Sequence, residues 1–521
     1  MNKLLALLIL FPPFSLWGEE IILPKLKSLE ISSGSTTPVH RSGPVSLQGL
    51  SVAGQESLAS QLGNWIGNPL TATSLDSLTE AILQHYEDND RPMNDIMVPP
   101  QDGTDGHLTI QVTEGRVGSV GVSRTRFFNN DLLRNSVDLN SGDLLQSSSI
   151  NAHVDWLSRN PFRKASLLVS PGENVSADLL FEIREKDPLQ FYTEYKNSGV
   201  EEVGRNRWSA GLIWGNAFDL DQLLSYRLII GDSPDDFTAH TFSWEIPLHQ
   251  HHSWINFSAA YADVSAKDQY AGIATESDST SWQVTMAYGT ILPRIDDWKQ
   301  EVNFGVEVKS ADNFVLFGET TIPDSTIDII QARADWSAQG SLWGGNARAT
   351  ASVIFSPGDI GSGNSEEAFA AYRPSADPTY FYTRLTGRWE KALPKDWQLH
   401  LRGEAQIASG ALVPTEQLGL GGSRTIRGYE EQSYLADSGY ALSAELHTPA
   451  WSLGKDSKLH ALTFFDHGWG WREDDDSSSF NSVGLGLRFK YQDLFSARLD
   501  LAQSISNSDE SAIHAGVNIS F

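Results

Sequence analysis

Val483-Gly484-Leu485-Gly486-Leu487-Arg488-Phe489-Lys490-Tyr491, Phe495-Ser496-Ala497-Arg498-Leu499-Asp500-Leu501 and Ile513-His514-Ala515-Gly516-Val517-Asn518-Ile519-Ser520-Phe521 close the chain. In each stretch apolar and polar residues alternate with period two, the mark of a strand whose two faces meet different surroundings. Val483, Leu485, Leu487, Phe489 and Tyr491 share a face opposite Arg488 and Lys490. Arg498 and Asp500 stand opposite an apolar set, and His514, Asn518 and Ser520 oppose Ile513, Ala515, Val517, Ile519 and Phe521. A soluble sandwich also alternates, but it buries its apolar face. Here neighbouring strands repeatedly offer charge on the other face, as a wet lumen within a lipid-facing wall requires.

Working outward, Val302–Lys309 and Leu399–Ile407 repeat the pattern, with Glu307 and Lys309, then Arg402 and Glu404, on the polar face. From Pro188 to Phe521 sixteen strand candidates begin near residues 189, 206, 222, 237, 253, 281, 296, 326, 346, 379, 397, 437, 458, 482, 494 and 512. Turns rich in Gly, Asp, Ser and Asn separate them. The expected fold is an all-β transmembrane barrel of about 16 antiparallel strands over 188–521. Closure removes the unpaired edges that lipid does not tolerate. An even strand number returns both ends of the barrel to one side. The terminal aromatic, Phe521, is read as the barrel's C-terminal signal.

Composition agrees. The 521 residues hold 16 Trp, 14 Tyr and 23 Phe, yet mean hydropathy is −0.29; aromatic belts outside and polar residues within reconcile the two. A net charge of −28 argues against nucleic acid, whose binding needs clustered Lys and Arg. Absence of cysteine excludes a disulfide scaffold and thiolate metal sites. The one strongly apolar stretch, Leu4 to Phe11 after Lys3, predicts a signal peptide over 1–18.

Residues 19–43, rich in Ser, Thr and Pro, read as a linker. Residues 44–115 then run β-α-α-β-β: a strand at Val45–Val52, helices at Glu56–Ile66 and Ser74–Asp88 with Ser74 as cap, and strands at Asp95–Val98 and His107–Thr113. The order returns in 116–187, with strands at Val117–Val122, Ala165–Ser170 and Asp178–Glu185 and helices at Asn129–Asn135 and Ser149–Asn160. Two small α+β domains with open sheet edges suit capture of extended polypeptide by strand addition.

The long connection 409–437, the sixth outward loop, contains Leu418-Gly419-Leu420-Gly421-Gly422-Ser423-Arg424-Thr425-Ile426-Arg427-Gly428-Tyr429, and two strands later comes Phe464-Phe465-Asp466-His467-Gly468. At these residues the chain resembles the two-partner secretion transporters, the ShlB/FhaC/HecB-type TpsB proteins of the polypeptide-transporting outer-membrane superfamily. Their signature is [Val/Ile]-Arg-Gly-Tyr on the sixth loop and Phe-x-Asp-x-Gly on the thirteenth strand, matched by Ile426, Arg427, Gly428 and Tyr429 and by Phe464, Asp466 and Gly468. Val98-Pro99-Pro100-Gln101-Asp102 and Gly106–Arg116 look like the end of that family's first POTRA domain, and Asn160-Pro161-Phe162-Arg163 with Ser170-Pro171-Gly172 like its second. Asn197-Ser198-Gly199 and Trp214-Gly215-Asn216 look like its first hairpin.

The resemblance implies two periplasmic POTRA domains, 44–115 and 116–187, that dock an unfolded partner exoprotein, and a loop 409–437 inserted in the pore. It implies outer-membrane lipid around the barrel, insertion by the barrel-assembly machinery, a monomer, and no cofactor. Arg427 and Asp466 would meet as a bidentate pair in the lumen, and Gly428 would take a backbone conformation closed to other residues. Many members open with a pore-plugging helix; 19–43 show no amphipathic helix. A barrel-assembly factor of the superfamily is the alternative, though those generally carry more periplasmic domains. A passive porin would leave loop and domains without purpose.

No enzyme is read here, since no Ser-His-Asp or paired-carboxylate arrangement can be placed. His249-Gln250-His251-His252 reads as a short periplasmic turn rather than a metal tract, Gly421-Gly422-Ser423 lacks the context of a phosphate loop, and Glu473-Asp474-Asp475-Asp476 reads as a solvated outer loop.

Overall fold

The three alternating C-terminal stretches become neighbours in one sheet. The computed structural model describes residues 21–34, 43–270, 273–317, 320–506 and 510–521, and in it the antiparallel sheet runs through sixteen strands and closes on itself. In chain order these are β1 Leu189–Lys196, β2 Arg207–Ala217, β3 Gln222–Ile230, β4 Phe237–Leu248, β5 Ser253–Tyr270, β6 Ile273–Ile295, β7 Trp298–Phe317 and β8 Thr320–Leu342. They continue as β9 Gly345–Pro357, β10 Thr379–Ala392, β11 Gln398–Ala408, β12 Ser438–His447, β13 Ser457–Arg472, β14 Asp475–Tyr491, β15 Phe495–Ser504 and β16 Ser511–Ser520. The short piece Trp451–Ser452 extends the ladder of β12, since both pair with β13.

The closing seam joins β1 to β16 from Tyr192↔Ser520 to Lys196↔Gly516. Phe191 and Phe521 exchange backbone hydrogen bonds at 2.9 Å at its end, while the Phe521 side chain is exposed. The alternation sorts the two faces. Leu485, Leu501, Ile513 and Phe304 point outward and are exposed, whereas Asp466, Asp500 and His514 are buried inside.

The sequence placed the starts of β6, β8 and β14 at 281, 326 and 482; they begin at 273, 320 and 475. Strands β5 to β8 are 18, 23, 20 and 23 residues long, against the ~10 a tilted strand needs to cross hydrocarbon. Beyond the bilayer both faces are wet, so pairing continues without the apolar alternation that reveals it.

The chain divides into two compact units: 1–121 with 139–151 and 167–181, and 122–138 with 152–166 and 182–521. In the first, a four-stranded sheet runs Val45–Gln48, Ser28–Ser33, His107–Glu114, Asn94–Met97. The first two junctions are parallel and the third antiparallel. Helices Gln55–Leu62 and Ala72–Asp88 cover it through Leu58, Leu62, Leu78, Ile82 and Tyr86, all fully buried. Thr71, rather than Ser74, caps the longer helix; the two exchange hydrogen bonds, Thr71 N to Ser74 Oγ at 2.7 Å and Ser74 N to Thr71 Oγ1 at 3.2 Å.

The linker reading of 19–43 is corrected here. Ser28–Ser33 is a central strand and Ile21–Leu23 a short one. Leu26, Leu29 and Ile31 lie in the core. A central strand covered on both faces shows no alternation, and here even Glu30 and Ser32 are buried. The expected signal peptide, 1–18, lies outside the described residues.

Residues 116–187 supply strands Arg116–Val122, Ser176–Glu185 and Arg163–Pro171, in that order in one sheet, and helices Asn130–Asn135 and Ser147–Leu157.

Ile31 has no exposed surface, so Ile31→Ala leaves a cavity under the central strand. We expect a loss of about 2–5 kcal/mol in the stability of this domain, read by pulse proteolysis across a urea series.

Candidate functional site

Loop 409–437 turns inward instead of standing off the surface. Leu418–Leu420 pairs antiparallel with Tyr434–Ala436, and the hairpin packs Leu418, Leu420, Ile426, Tyr429, Tyr434 and Ala436 into one buried cluster with Ala441. Loop side chains are thereby brought against the lumenal wall of β12 to β15.

At its tip Arg427 is 2% exposed and Asp466 of β13 is 0%. Arg427 donates from Nε to Asp466 Oδ2 at 2.7 Å and from Nη2 to Oδ1 at 2.8 Å, and its backbone N–H bonds Oδ2 at 3.1 Å. Nη1 donates to Glu445 at 2.7 Å and Nη2 to Ser443 Oγ at 3.0 Å. The guanidinium carbon sits 3.4 Å from the centroid of the Phe464 ring, a cation–π contact favoured where water is excluded. Arg427 and Phe464 of the two motifs thus meet around Asp466.

Gly428 has φ +95°, and a Cβ there would come within 3.2 Å of the Ser504 nitrogen. Conformation and the close approach to β15 both require glycine. Gly468 makes room instead, since a Cβ would meet Ile426 Cδ1 at 2.8 Å. The Tyr429 hydroxyl donates to the Asn481 carbonyl at 3.1 Å and accepts from Ser504 Oγ at 2.7 Å.

Two further anchors escaped sequence reasoning. Glu416, near the start of the loop, is 1% exposed. It accepts from Lys309 Nζ of β7 at 2.8 Å, from the Tyr382 hydroxyl of β10 at 2.8 Å and from Gln331 of β8 at 3.2 Å. Alternation puts Lys309 on the polar face; the matching signal is one carboxylate, Glu416, in the segment Leu412-Val413-Pro414-Thr415-Glu416-Gln417-Leu418. At the loop's other end Asp437 accepts two bonds from Arg373, at 2.6 and 2.9 Å, and others from Leu412 N and Glu473 N. Arg373 also binds Asp474 at 2.6 and 3.0 Å. The acidic run 473–476 is exposed, as a solvated face should be; Asp474 serves in addition as an ion-pair partner, and Asp475 opens β14. Partners so distant in sequence leave no local pattern.

Within the same unit, two other quoted motifs meet. Arg163 pairs with Asp221, Asn160 Nδ2 bonds the Gly215 carbonyl at 2.6 Å and Asp221 at 2.9 Å, and Asn216 Nδ2 bonds the Phe127 carbonyl at 2.7 Å. Asp155 holds Arg294 at 2.6 and 2.7 Å. The histidine turn lies nearby. His252 stacks on Trp156 at 5.3 Å, His153 meets His252 edge-on at 4.7 Å, and Trp156 Nε1 donates to His249 Nδ1 at 3.3 Å. Burial, then the neighbouring His252, pulls His153 down to about 4, against a partial upward pull from Asp138. Burial likewise lowers His249, beside Asp221 and Arg163, and His252.

A closed lipid-facing barrel whose lumen holds an inward-folded, charge-anchored loop defines an outer-membrane transport pore. The haemolysin secretion/activation protein ShlB/FhaC/HecB profile matches residues 176–489, and the ShlB-type POTRA domain profile matches 43–115. The chain belongs to that family of outer-membrane transporters, which secrete partner exoproteins and hold their POTRA domains in the periplasm. It is 21% identical over 489 residues, 88% of this chain and 82% of the relative, to the heme/hemopexin transporter protein HuxB of Haemophilus influenzae. It is 20% identical over 393 residues, 74% of this chain and 68% of the relative, to the outer membrane transporter CdiB of Dickeya dadantii. The solved structure of CdiB from Escherichia coli superposes with a TM-score of 0.81 at 16% identity, covering 98% of this chain and 93% of that one.

Breaking a buried pair from one side strands the other charge, at a cost of about 3–5 kcal/mol. Asp466→Ala is expected to release the loop tip by that much, and Glu416→Ala to loosen its root against β7 to β10. Both should leave the barrel closed, so protease cleavage at Arg424 and Arg427 in intact cells should rise while the heat-modifiable gel shift of a folded barrel persists.

The helix Ser147–Leu157, packed on the histidine turn through His153, carries a pH dependence. Because His153 is lowered when folded, its contribution is fully present above its unfolded value of ~6.5 and is lost as pH falls through about 4. Backbone hydrogen exchange around residues 153–157, corrected for intrinsic rate, should rise between pH 7 and pH 4, and His153→Gln should flatten the profile.

Proposed function

We propose that this chain exports one partner exoprotein, which docks unfolded on residues 44–187 and passes through the barrel of 188–521 once loop 409–437 leaves its seat. The observation that carries this is the buried Arg427–Asp466 pair. A charge pair under water exclusion contributes little net stability against its desolvation but fixes one arrangement of the loop, and such an element can be exchanged for another. Ile426, Gly428 and Tyr429 seat the tip, and Phe464 and Gly468 shape the wall that receives it. Phe521 serves as the signal read by the barrel-assembly machinery, residues 1–18 direct the chain through the inner membrane, and the barrel works as a monomer in outer-membrane lipid. The reading assigns transport without catalysis or cofactor. The family match and the two POTRA repeats favour export over barrel assembly.

A strain lacking the chain tests this. We expect its surface and medium to lose one large exoprotein while other outer-membrane barrels keep their levels. Wild-type chain restores export; Arg427→Glu assembles in the membrane but does not. A general fall in barrel levels would support an assembly role instead, and normal export by Arg427→Glu would remove the loop from the mechanism.

A further inference from the structure

Three arginines face one another on the lumenal side of adjacent strands. Arg348 of β9 lies directly opposite Arg388 of β10, and Arg388 lies opposite Arg402 of β11. The row continues through Ser443 of β12 to Asp466 of β13, the carboxylate that holds Arg427. Like charges in directly opposed positions work against a sheet, so such a row calls for compensation.

Several other lumenal cations have it. Arg488 and Arg498 are also opposed, and Asp500 bonds Arg488 at 2.7 and 3.1 Å, although Arg498 itself has no carboxylate within 4.0 Å among the described residues. Arg227 has Glu194 at 2.6 Å, and Lys309 has Glu307 and Glu416 at 2.6 and 2.8 Å. Among the described residues, neither Arg348, Arg388, Arg402 nor Arg424 of loop 6 has a carboxylate within 4.0 Å. The nearby carboxylates are engaged elsewhere: Glu404 lies 3.9 Å from Arg384, Glu390 lies 3.9 Å from His400, and Glu445 binds Arg427.

These four arginines line one lumenal cavity of about 390 Å³ together with Glu404, Thr350 and Thr386. Arg348, Arg388 and Arg424 are exposed to it, and the enclosed Nη2 of Arg402 has no hydrogen-bond partner. The row lies in the periplasmic half of the lumen, near the ends of strands that turn at 393–397. A chain of net charge −28 thus keeps an uncompensated cationic ladder on the inner wall beside its gate.

We propose that Arg348, Arg388 and Arg402, with Arg424 on the loop, form a binding site for an acidic segment of the exported polypeptide. The proposal rests on the export reading and names the chemistry of the cargo. Neighbouring strands are ~4.8 Å apart, so a single small anion reaches one or two rungs. Carboxylates spaced along an extended chain reach all three, each guanidinium offering a fork matched to a carboxylate. Because Arg424 belongs to the loop, cargo bound here engages a loop residue as well as the wall.

The full-length protein, purified in detergent at low salt, is titrated into fluorescent hexaglutamate and followed by anisotropy. Binding should weaken with added salt, be displaced by unlabelled hexaglutamate, and resist hexalysine. Arg348→Gln, Arg388→Gln and Arg402→Gln together should weaken it by about tenfold or more, with a folded-barrel gel shift retained. If the triple variant does not fold, Arg388→Gln alone should still weaken binding measurably. No binding by the wild type, unchanged affinity in a folded variant, or equal displacement by inorganic phosphate overturns the proposal. Failure here leaves export itself to the deletion experiment, and loss of export there leaves this site without a cargo.

Discussion

Backbone groups in lipid have no water to bond, and this constraint organises the chain from Leu189 onward. A sheet edge in hydrocarbon would leave each N–H and C=O unmet at several kcal/mol apiece, so β16 must return to β1. The seam from Tyr192↔Ser520 to Lys196↔Gly516 does this. Once the circle is closed, alternating residues must point inward, and sixteen strands enclose more space than side chains of the wall fill. The lumen is therefore wet and charged, and it has room for a loop.

The loop that enters pays for its burial in desolvation and recovers most of it through satisfied charges. Arg427 meets Asp466, Glu445, Ser443 and the Phe464 ring, so its donors and its face are occupied. Glu416 does the same at the opposite wall, with Lys309, Gln331 and Tyr382. An apolar plug would be harder to dislodge. A plug held by ion pairs is specific in position and modest in net stability, which suits the proposed release of the loop. The uncompensated arginines of β9 to β11 lie beside it, where displaced charge would be felt first.

The motifs beyond the lumen follow the same logic of satisfied burial. Asn160, Phe162 and Arg163 close around Gly215 and Asp221, which fixes the entry of the chain into β1. In the first domain, the strand Ser28–Ser33 has both edges paired, and its Leu29 and Ile31 are buried in the core.

Much of the fold could be read from the residues themselves. Period-two alternation revealed the barrel and placed most strand starts within a few residues, because lipid on one side and water on the other impose different chemistry at each step. It failed where that contrast vanished: in β6, β8 and β14 beyond the bilayer, and in Ser28–Ser33, buried on both faces. Arg427, Gly428 and Asp466 were marked by motif, with Gly428 explained by its φ of +95°. Glu416, Asp437, Arg373 and the ladder Arg348–Arg388–Arg402 were decided only by the tertiary structure. Their meaning depends on which residues stand opposite across strands and loops far apart in the chain, and register is set by closure of the whole sheet rather than by any local sequence.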